Sequence, residues 1–394
     1  MPAKSKSSLL HRFAVLTAAA TLCLIGIGGL VTSHEAGMAV PDWPTTYGYN
    51  MFLFPISQWI GGIFYEHTHR LFASFVGLLT TVLAGWLWFK EPRRWMRWLG
   101  GVAFVTVLSQ GLLGGLRVVL SKDQIGIFHA TFAQLFLLET TAIALFTSRW
   151  WRRREAQTGP LLATRGFRSL AIIATIVVFV QLILGATMRH QHAGLAVPDF
   201  PLAYGKIFPR MDAAFIQEIN QHRLDARDYN PITAFQIAAH MAHRLGALMV
   251  LLLVILVWRR ARREYGPASA LTRGTLGWVG MICLQALLGA ATVWSNKAAD
   301  IATFHVVGGA VGLMTGTLIS LAAFRVRTPA GRTVPWENPP REDARFSQPS
   351  IATMNCGSSV ASPHLALPHL NDDGNAGDAR VRASRQVQGK ISTV

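Results

Sequence analysis

Ala36-Gly37-Met38-Ala39-Val40-Pro41-Asp42-Trp43-Pro44-Thr45-Thr46-Tyr47-Gly48 returns as Ala193-Gly194-Leu195-Ala196-Val197-Pro198-Asp199-Phe200-Pro201-Leu202-Ala203-Tyr204-Gly205, with nine of thirteen positions identical. Such agreement marks an internal repeat. Each copy follows one long apolar run and precedes three more. The runs cover residues 13–32, 67–89, 98–119, 125–147, 169–188, 235–257, 276–295 and 301–324, each long enough to cross the hydrocarbon core as a helix that satisfies its own backbone. Four helices per repeat give both halves one orientation, related by an axis along the membrane normal. The predicted fold is an all-α polytopic membrane protein, its eight transmembrane helices forming two pseudo-symmetric four-helix bundles. Shorter echoes agree: Gln110-Gly111-Leu112-Leu113-Gly114-Gly115 with Gln285-Ala286-Leu287-Leu288-Gly289-Ala290, and Phe128-His129 with Phe304-His305.

Composition excludes an ordinary soluble protein, since 51% of the 394 residues are hydrophobic and only 14% charged. The formal charge of +17 points to topology and not to nucleic acid, because Lys and Arg cluster between apolar runs. Lys90, Arg93, Arg94 and Arg97 follow helix 2, Arg149 and Arg152 to Arg154 follow helix 4, and Arg259, Arg260, Arg262 and Arg263 follow helix 6. The loops after helices 3 and 7 carry one lysine each, so the positive-inside rule puts both termini in the cytoplasm. The loop 189–234 is richer in basic residues, but long loops translocate largely regardless of charge. The expected divisions are a cytoplasmic N-terminus (1–12), an N-terminal bundle (13–147), a cytoplasmic linker (148–168), a C-terminal bundle (169–325) and a disordered cytoplasmic tail (326–394). The first apolar run superficially resembles a signal peptide but is long enough to be a retained helix. Cys23, Cys283 and Cys356 are too scattered for a local disulfide framework or thiolate site. Gly26-Ile27-Gly28-Gly29, Gly114-Gly115 and Gly308-Gly309 read as places of close helix approach.

Chemistry concentrates at helix starts near the outer face. Tyr65-Glu66-His67-Thr68-His69-Arg70 opens helix 2 and His240-Met241-Ala242-His243-Arg244 opens helix 6, while His129 and His305 stand near the starts of helices 4 and 8. Ionisable groups in spanning helices tend to face the bundle interior and a partner or ligand. Two neutral imidazoles on facing helices suit the two axial positions of a haem iron, and each half offers one pair: His69 with His129, His243 with His305. Isolated interfacial histidines are the bland alternative, weakened because all four obey the repeat. Zinc would need a third or fourth ligand that neither half supplies. His67, His34, His190, His192 and His222 break the repeat or sit in loops and are expected at solvated or interfacial places. His11, His364 and His369 fall outside the core.

Arg70 and Arg244 can hold a haem propionate or a lipid phosphate. Asp42 and Asp199 suit turns. Glu66 stands where the second half has His240. A carboxylate beside a bound substrate can move protons or fix an intermediate, whereas an imidazole there suits a site that only holds a cofactor; a helix N-terminal Glu favoured by the dipole is the alternative. Glu139 lies about 15 Å along helix 4 from His129, on a proton path or bonded to a glutamine such as Gln110.

With these motifs the chain, over residues 10–325, resembles the haem A synthase family. The resemblance implies oxidation of a ring methyl of the substrate haem O to a formyl group, giving haem A for cytochrome oxidase. It implies a resident haem b on His243 and His305, substrate haem on His69 and His129, and Glu66 as the essential acid. The outer-loop cysteine pair of some members is missing here. The expected setting is a bacterial plasma membrane, with the haem sites toward the outer face, an unidentified redox partner and a haem O synthase as supplier. A di-haem membrane cytochrome, carrying electrons from quinol without modifying haem, is the alternative from another class. A transporter also fits the parallel repeat but has no use for four outward histidines.

Overall fold

The computed structural model describes residues 3–157, 163–222 and 231–326. Among them are ten α-helices: α1 (Ala3–Ser33), α2 (Gly61–Lys90), α3 (Arg94–Val119), α4 (Asp123–Thr147), α5 (Arg149–Glu155), α6 (Arg165–His190), α7 (Ala213–Gln221), α8 (Ala234–Tyr265), α9 (Ala270–Trp294) and α10 (Ala299–Ala323). All but α5 and α7 are long and apolar enough to cross a membrane, α1 through its Leu9–Ser33 part. The chain is a multi-pass membrane protein. The tail expected to be disordered lies, from residue 327 on, outside the described residues, as do His364, His369 and Cys356.

The helices overrun the apolar runs that announced them. α2 starts at Gly61 and not at residue 67, so Glu66 sits within the second turn and not at the helix entry. α8 continues past residue 257 to Tyr265, because its Arg-rich end consists of good helix formers and leaving the bilayer does not end a helix. It stops at Gly266, φ 77°, a backbone state that glycine adopts without strain. Side chains set several starts: Ser148, Thr164, Asp212 and Ser269 each accept a backbone N–H of the first turn, and Thr233 forms a reciprocal capping box with Gln236. Inside the spans, Thr17, Thr21, Thr80 and Thr140 donate to the carbonyl four residues back, so these hydroxyls need no partner from lipid.

In the first half α1 packs on α2 and α4, and α3 packs on α2 and α4; in the second, α6 packs on α8 and α10, and α9 on α8 and α10. Each helix therefore has the neighbours of its counterpart. The halves meet where α1 touches α10 and α4 touches α6 and α10. There Gly29 lies against Thr303 and Gly26 against Val307, and Arg189 donates to the Gly29 carbonyl and the Ser33 hydroxyl, both at 2.6 Å. Each half has its own apolar core, one including Leu79, Leu83, Leu87, Met96, Phe136 and Ile143, the other Phe167, Val250, Val254, Trp278, Ile282 and Leu313. Outward faces carry exposed Leu78, Leu108, Leu112, Leu248, Leu252 and Leu287, as hydrocarbon solvent requires.

On α2, α4, α8 and α10 the core residues follow the histidines, which leaves the other end of each half for a site. The end holding the cores is tied by charge. Glu91, 1% exposed, pairs with Arg93 at 2.7 Å and Arg152 at 3.0 Å. Burial alone would raise its carboxyl, but the Arg93 hydrogen bond and the charges of Arg93 and Arg152 hold it below the usual carboxylate range. Glu155 joins Arg93 to Arg325 just past α10. The basic clusters read as topology signals thus also fasten α2, α3, α5 and α10 together.

Candidate functional site

The four expected histidines meet in two pairs. The ring centroids of His69 (α2) and His129 (α4) are 6.4 Å apart with planes at 77°, and those of His243 (α8) and His305 (α10) are 6.3 Å apart at 78°. Two metal–imidazole bonds of about 2 Å, plus about 1 Å from each nitrogen to its ring centre, require roughly 6 Å between centroids. Nδ1 of His69, His129 and His305 is buried and without a hydrogen-bond partner, which is costly for an imidazole unless a ligand uses the ring. His243 Nδ1 lies 3.1 Å from the Gln181 amide, where the first half has Leu24.

Each ring rests on a glycine of a neighbouring helix. A Cβ on Gly28 (α1) would stand 3.1 Å from Cε1 of His69, one on Gly114 (α3) 3.4 Å from His129, one on Gly185 (α6) 3.1 Å from His243 and one on Gly289 (α9) 3.2 Å from His305. The four glycines are repeat counterparts, like the rings they carry. Donor type, separation, orphaned nitrogens and cradles all fit a planar metal-centred ligand between each pair.

Above each pair lies one copy of the repeated loop, and the two copies fold alike. Asp42 accepts the backbone N–H groups of Tyr47 and Gly48 and the Thr45 hydroxyl; Asp199 accepts those of Tyr204 and Gly205. Burial would raise the Asp42 carboxyl, yet these hydrogen bonds, led by that from Gly48, hold it below its ordinary range. Tyr47 and Tyr204 donate to the Ala39 and Ala196 carbonyls. The aspartates make turns. Arg70 and Arg244, expected at a propionate or a lipid phosphate, spend donors on loop carbonyls: Arg70 on those of Val40, Asp42 and Thr45, Arg244 on those of Val197, Asp199 and Leu202.

Glu66 completes the first network. Only 4% exposed, it pairs with Arg70 at 2.7 Å and accepts the Val40 N–H at 2.8 Å. One carboxylate oxygen is thereby fixed to α2 and the other to the loop. His240, its counterpart, is also buried, and its Nδ1 has no partner.

Three histidines expected in solvated, interfacial or peripheral places are elsewhere. His67 is fully buried, its Nδ1 3.2 Å from the Thr46 hydroxyl and its ring between Phe54 and Trp59, because the loop 50–60 folds down over α2. His190 is buried against Gly126 between the halves. His11 bonds through Nδ1 to the Ala144 carbonyl of α4. Glu139 accepts from Thr106 and not from Gln110, which donates instead to the His129 carbonyl.

Fold and site together define a membrane protein of two like halves, each with a paired-imidazole site under a stapled loop whose geometry suits a planar metal-centred ligand between spanning helices. Comparison with known proteins narrows the class. Residues 11–317 match the COX15-CtaA family, described as cytochrome oxidase assembly protein, and the chain belongs to that family. Among its relatives, the Heme A synthase of Alkalihalophilus pseudofirmus is 25% identical over 297 residues, 74% of this chain and 90% of that protein. The Heme A synthase of Halalkalibacterium halodurans is 25% identical over 283 residues, 70% and 82% of the two chains. That of Brucella ovis is 30% identical over 251 residues, 61% and 64% of the two chains.

Proposed function

We propose that the chain is a haem A synthase, an oxidoreductase that converts a ring methyl of haem O to a formyl group. The observation that carries this reading, in a chain of this family, is the inequality of two otherwise matching sites: Glu66, fixed by Arg70 and the Val40 N–H, stands where the other half has His240. The N-terminal half (13–147) takes the substrate haem between His69 and His129, and the C-terminal half (169–325) keeps a haem b between His243 and His305, the two forming pseudo-symmetric bundles. Bound haem supplies the redox chemistry. The protein supplies ligation, orientation and one acidic group.

Methyl-to-formyl oxidation exchanges two hydrogens on the carbon for one oxygen; with water as the oxygen source and an external acceptor for the electrons it releases protons, which must move at the site. Glu66 can hold or pass one at its carboxylate oxygens, and Arg70 with the Val40 N–H keeps those oxygens from drifting. Arg70 and Arg244 hold the loops that exclude water, and a propionate would have to share their donors. The basic clusters support a plasma-membrane orientation with both termini cytoplasmic and the sites toward the outer face. A haem O synthase in the same membrane is the natural supplier, and an external acceptor takes the electrons.

The test is haem extraction from membranes expressing Glu66→Ala. Haem O should accumulate and haem A disappear while both histidine sites remain loaded; normal haem A accumulation would sink the role of Glu66. Supplying haem O to the unaltered chain separates the enzyme from an electron-carrying cytochrome, which would leave it unmodified.

A further inference from the structure

The donors of Arg70 and Arg244 lie on loop carbonyls, yet a haem brings two carboxylates to the outer end of its site. Arg117, near the end of α3, is a cation with capacity left. It follows Gly114 by three residues, on the same helical face, and Gly114 is the cradle of His129. Its guanidinium lies over Gly37 of the first loop, where a Cβ would come within 2.7 Å of Nη1. One Nη donates to Asp123 at 3.1 Å, while Nε is buried and has no partner.

The second half has no cation at the matching position, and its Arg189 spends donors on the Gly29 carbonyl and the Ser33 hydroxyl of the first half. The repeat puts Thr292 at this position, its hydroxyl spent on the Leu288 carbonyl of its own helix. Gly194, the counterpart of Gly37, has open space where a Cβ would go. Arg117 is therefore particular to the half that holds Glu66.

We infer that Arg117 is the carboxylate anchor of the N-terminal site, binding a propionate of the substrate haem and setting its orientation between His69 and His129. The inference rests on the proposal that this pair receives the substrate. A guanidinium one turn outward of the imidazole meets the acidic edge of a flat ligand whose iron lies between the rings, and it orients that edge by charge-assisted hydrogen bonds. Asp123, half exposed, keeps the guanidinium in place without removing its Nε donor.

The experiment titrates the full chain in nanodiscs with ferric haem and, separately, with its dimethyl ester, which keeps the iron and ring but loses both charges. Binding at the N-terminal pair is the part lost in His129→Ala. Unaltered protein should favour the free acid at that pair, and Arg117→Gln should weaken the acid about tenfold, the size of one charge-assisted hydrogen bond. Ester binding should stay unchanged, and Arg117→Lys should restore part of the preference. Asp123→Asn also breaks the ion pair between α3 and α4, so a purely structural Arg117 predicts the same loss there; the anchor predicts that the preference survives. An undiminished preference in Arg117→Gln, with His129-dependent binding intact, overturns the anchor alone. Absence of His129-dependent binding in the unaltered chain overturns the substrate site and the anchor together.

Discussion

Replacing the glycine under each imidazole by alanine tests whether these rings are metal ligands held to tolerance or merely packed histidines. At Gly28 and Gly185 the new Cβ would stand 3.1 Å from a ring carbon, and at Gly289 3.2 Å. Carbon atoms settle at about 3.5–4.0 Å, so each ring must retreat by roughly 0.3 Å or more. Metal–ligand distances hold to about 0.2 Å, which the retreat exceeds, and overpacking of this kind costs about 1–3 kcal/mol. Haem affinity at the affected pair should fall roughly five- to a hundredfold. Gly114, at 3.4 Å, is already near ordinary contact and should change affinity by no more than about twofold. Gly77 of α2 has nothing within 4 Å; alanine there serves as the control and should be neutral or stabilise the helix by up to about 1 kcal/mol. The assay is haem per protein after purification, with the absorption spectrum reporting whether both imidazoles remain on the iron. Normal loading and spectra in both Gly28→Ala and Gly185→Ala, or equal damage from Gly114→Ala and Gly28→Ala, would refute the cradle geometry.

Two further outcomes follow from contacts outside the pairs. Glu91→Gln removes the carboxylate shared by Arg93 and Arg152 and should cost about 1–3 kcal/mol at pH 7, less than a fully buried pair because both arginines are partly exposed. With its folded pKa depressed, Glu91 contributes above its unfolded pKa of about 4.3 and loses that contribution as pH falls through the lower folded value; melting curves from pH 7 to pH 3 should therefore converge for the two proteins, and a constant gap would refute the reading. His67→Met combined with Thr46→Ala copies the pair Met241 and Ala203 of the second half and should fold normally, whereas His67→Ala alone should lose about 2–3 kcal/mol by opening a cavity between Phe54 and Trp59; equal melting temperatures for the two variants would show that the ring contributes no packing.

Much of the architecture was legible because a bilayer leaves few options. An apolar run of that length must be a helix, and the repeated loop divided eight helices into two sets of four. The histidine pairs were legible for the same reason: four residues obeying one repeat have to meet in equivalent ways. What escaped depends on packing between helices, which one helix's periodicity does not contain. Gly28 and Gly114 looked like sites of close helix approach, and that description fits Gly29, which touches Thr303; but Gly28 and Gly114 face imidazoles. His67 looked interfacial because nothing in its own helix shows that residues 50–60 fold back over it. That Arg70 binds loop carbonyls was not legible, because those carbonyls lie in a loop whose path is set by Asp42. Glu91 was one acid among many arginines, and only the fold reveals that it is buried between two of them.

Where the halves agree and where they diverge is itself informative. The paired imidazoles, their glycines, the loop aspartates and the arginines on the loop carbonyls recur, and on the proposed reading these parts answer a need common to both sites: holding a planar ligand under a fixed cover. The first half departs at the loop-covered end of its site, with Glu66 for His240, His67 for Met241, Thr46 for Ala203 and Arg117 for Thr292, while the second half departs with Gln181 for Leu24 and Arg189 for Thr32. Three of them touch the loop or its staples, since Glu66 accepts the Val40 N–H, His67 meets Thr46, and Arg117 lies over Gly37. A site that only stores its ligand, the role proposed for the second half, needs a cover, and there apolar residues pack around Ala203 and Met241. A site that exchanges its ligand must also recognise it and carry charge through the reaction, and hydrogen bonds and ion pairs do both where apolar contacts do neither. On the proposed assignment, Glu66, His67 and Arg117 are the substitutions that tie the loop to the half in which turnover makes the demand.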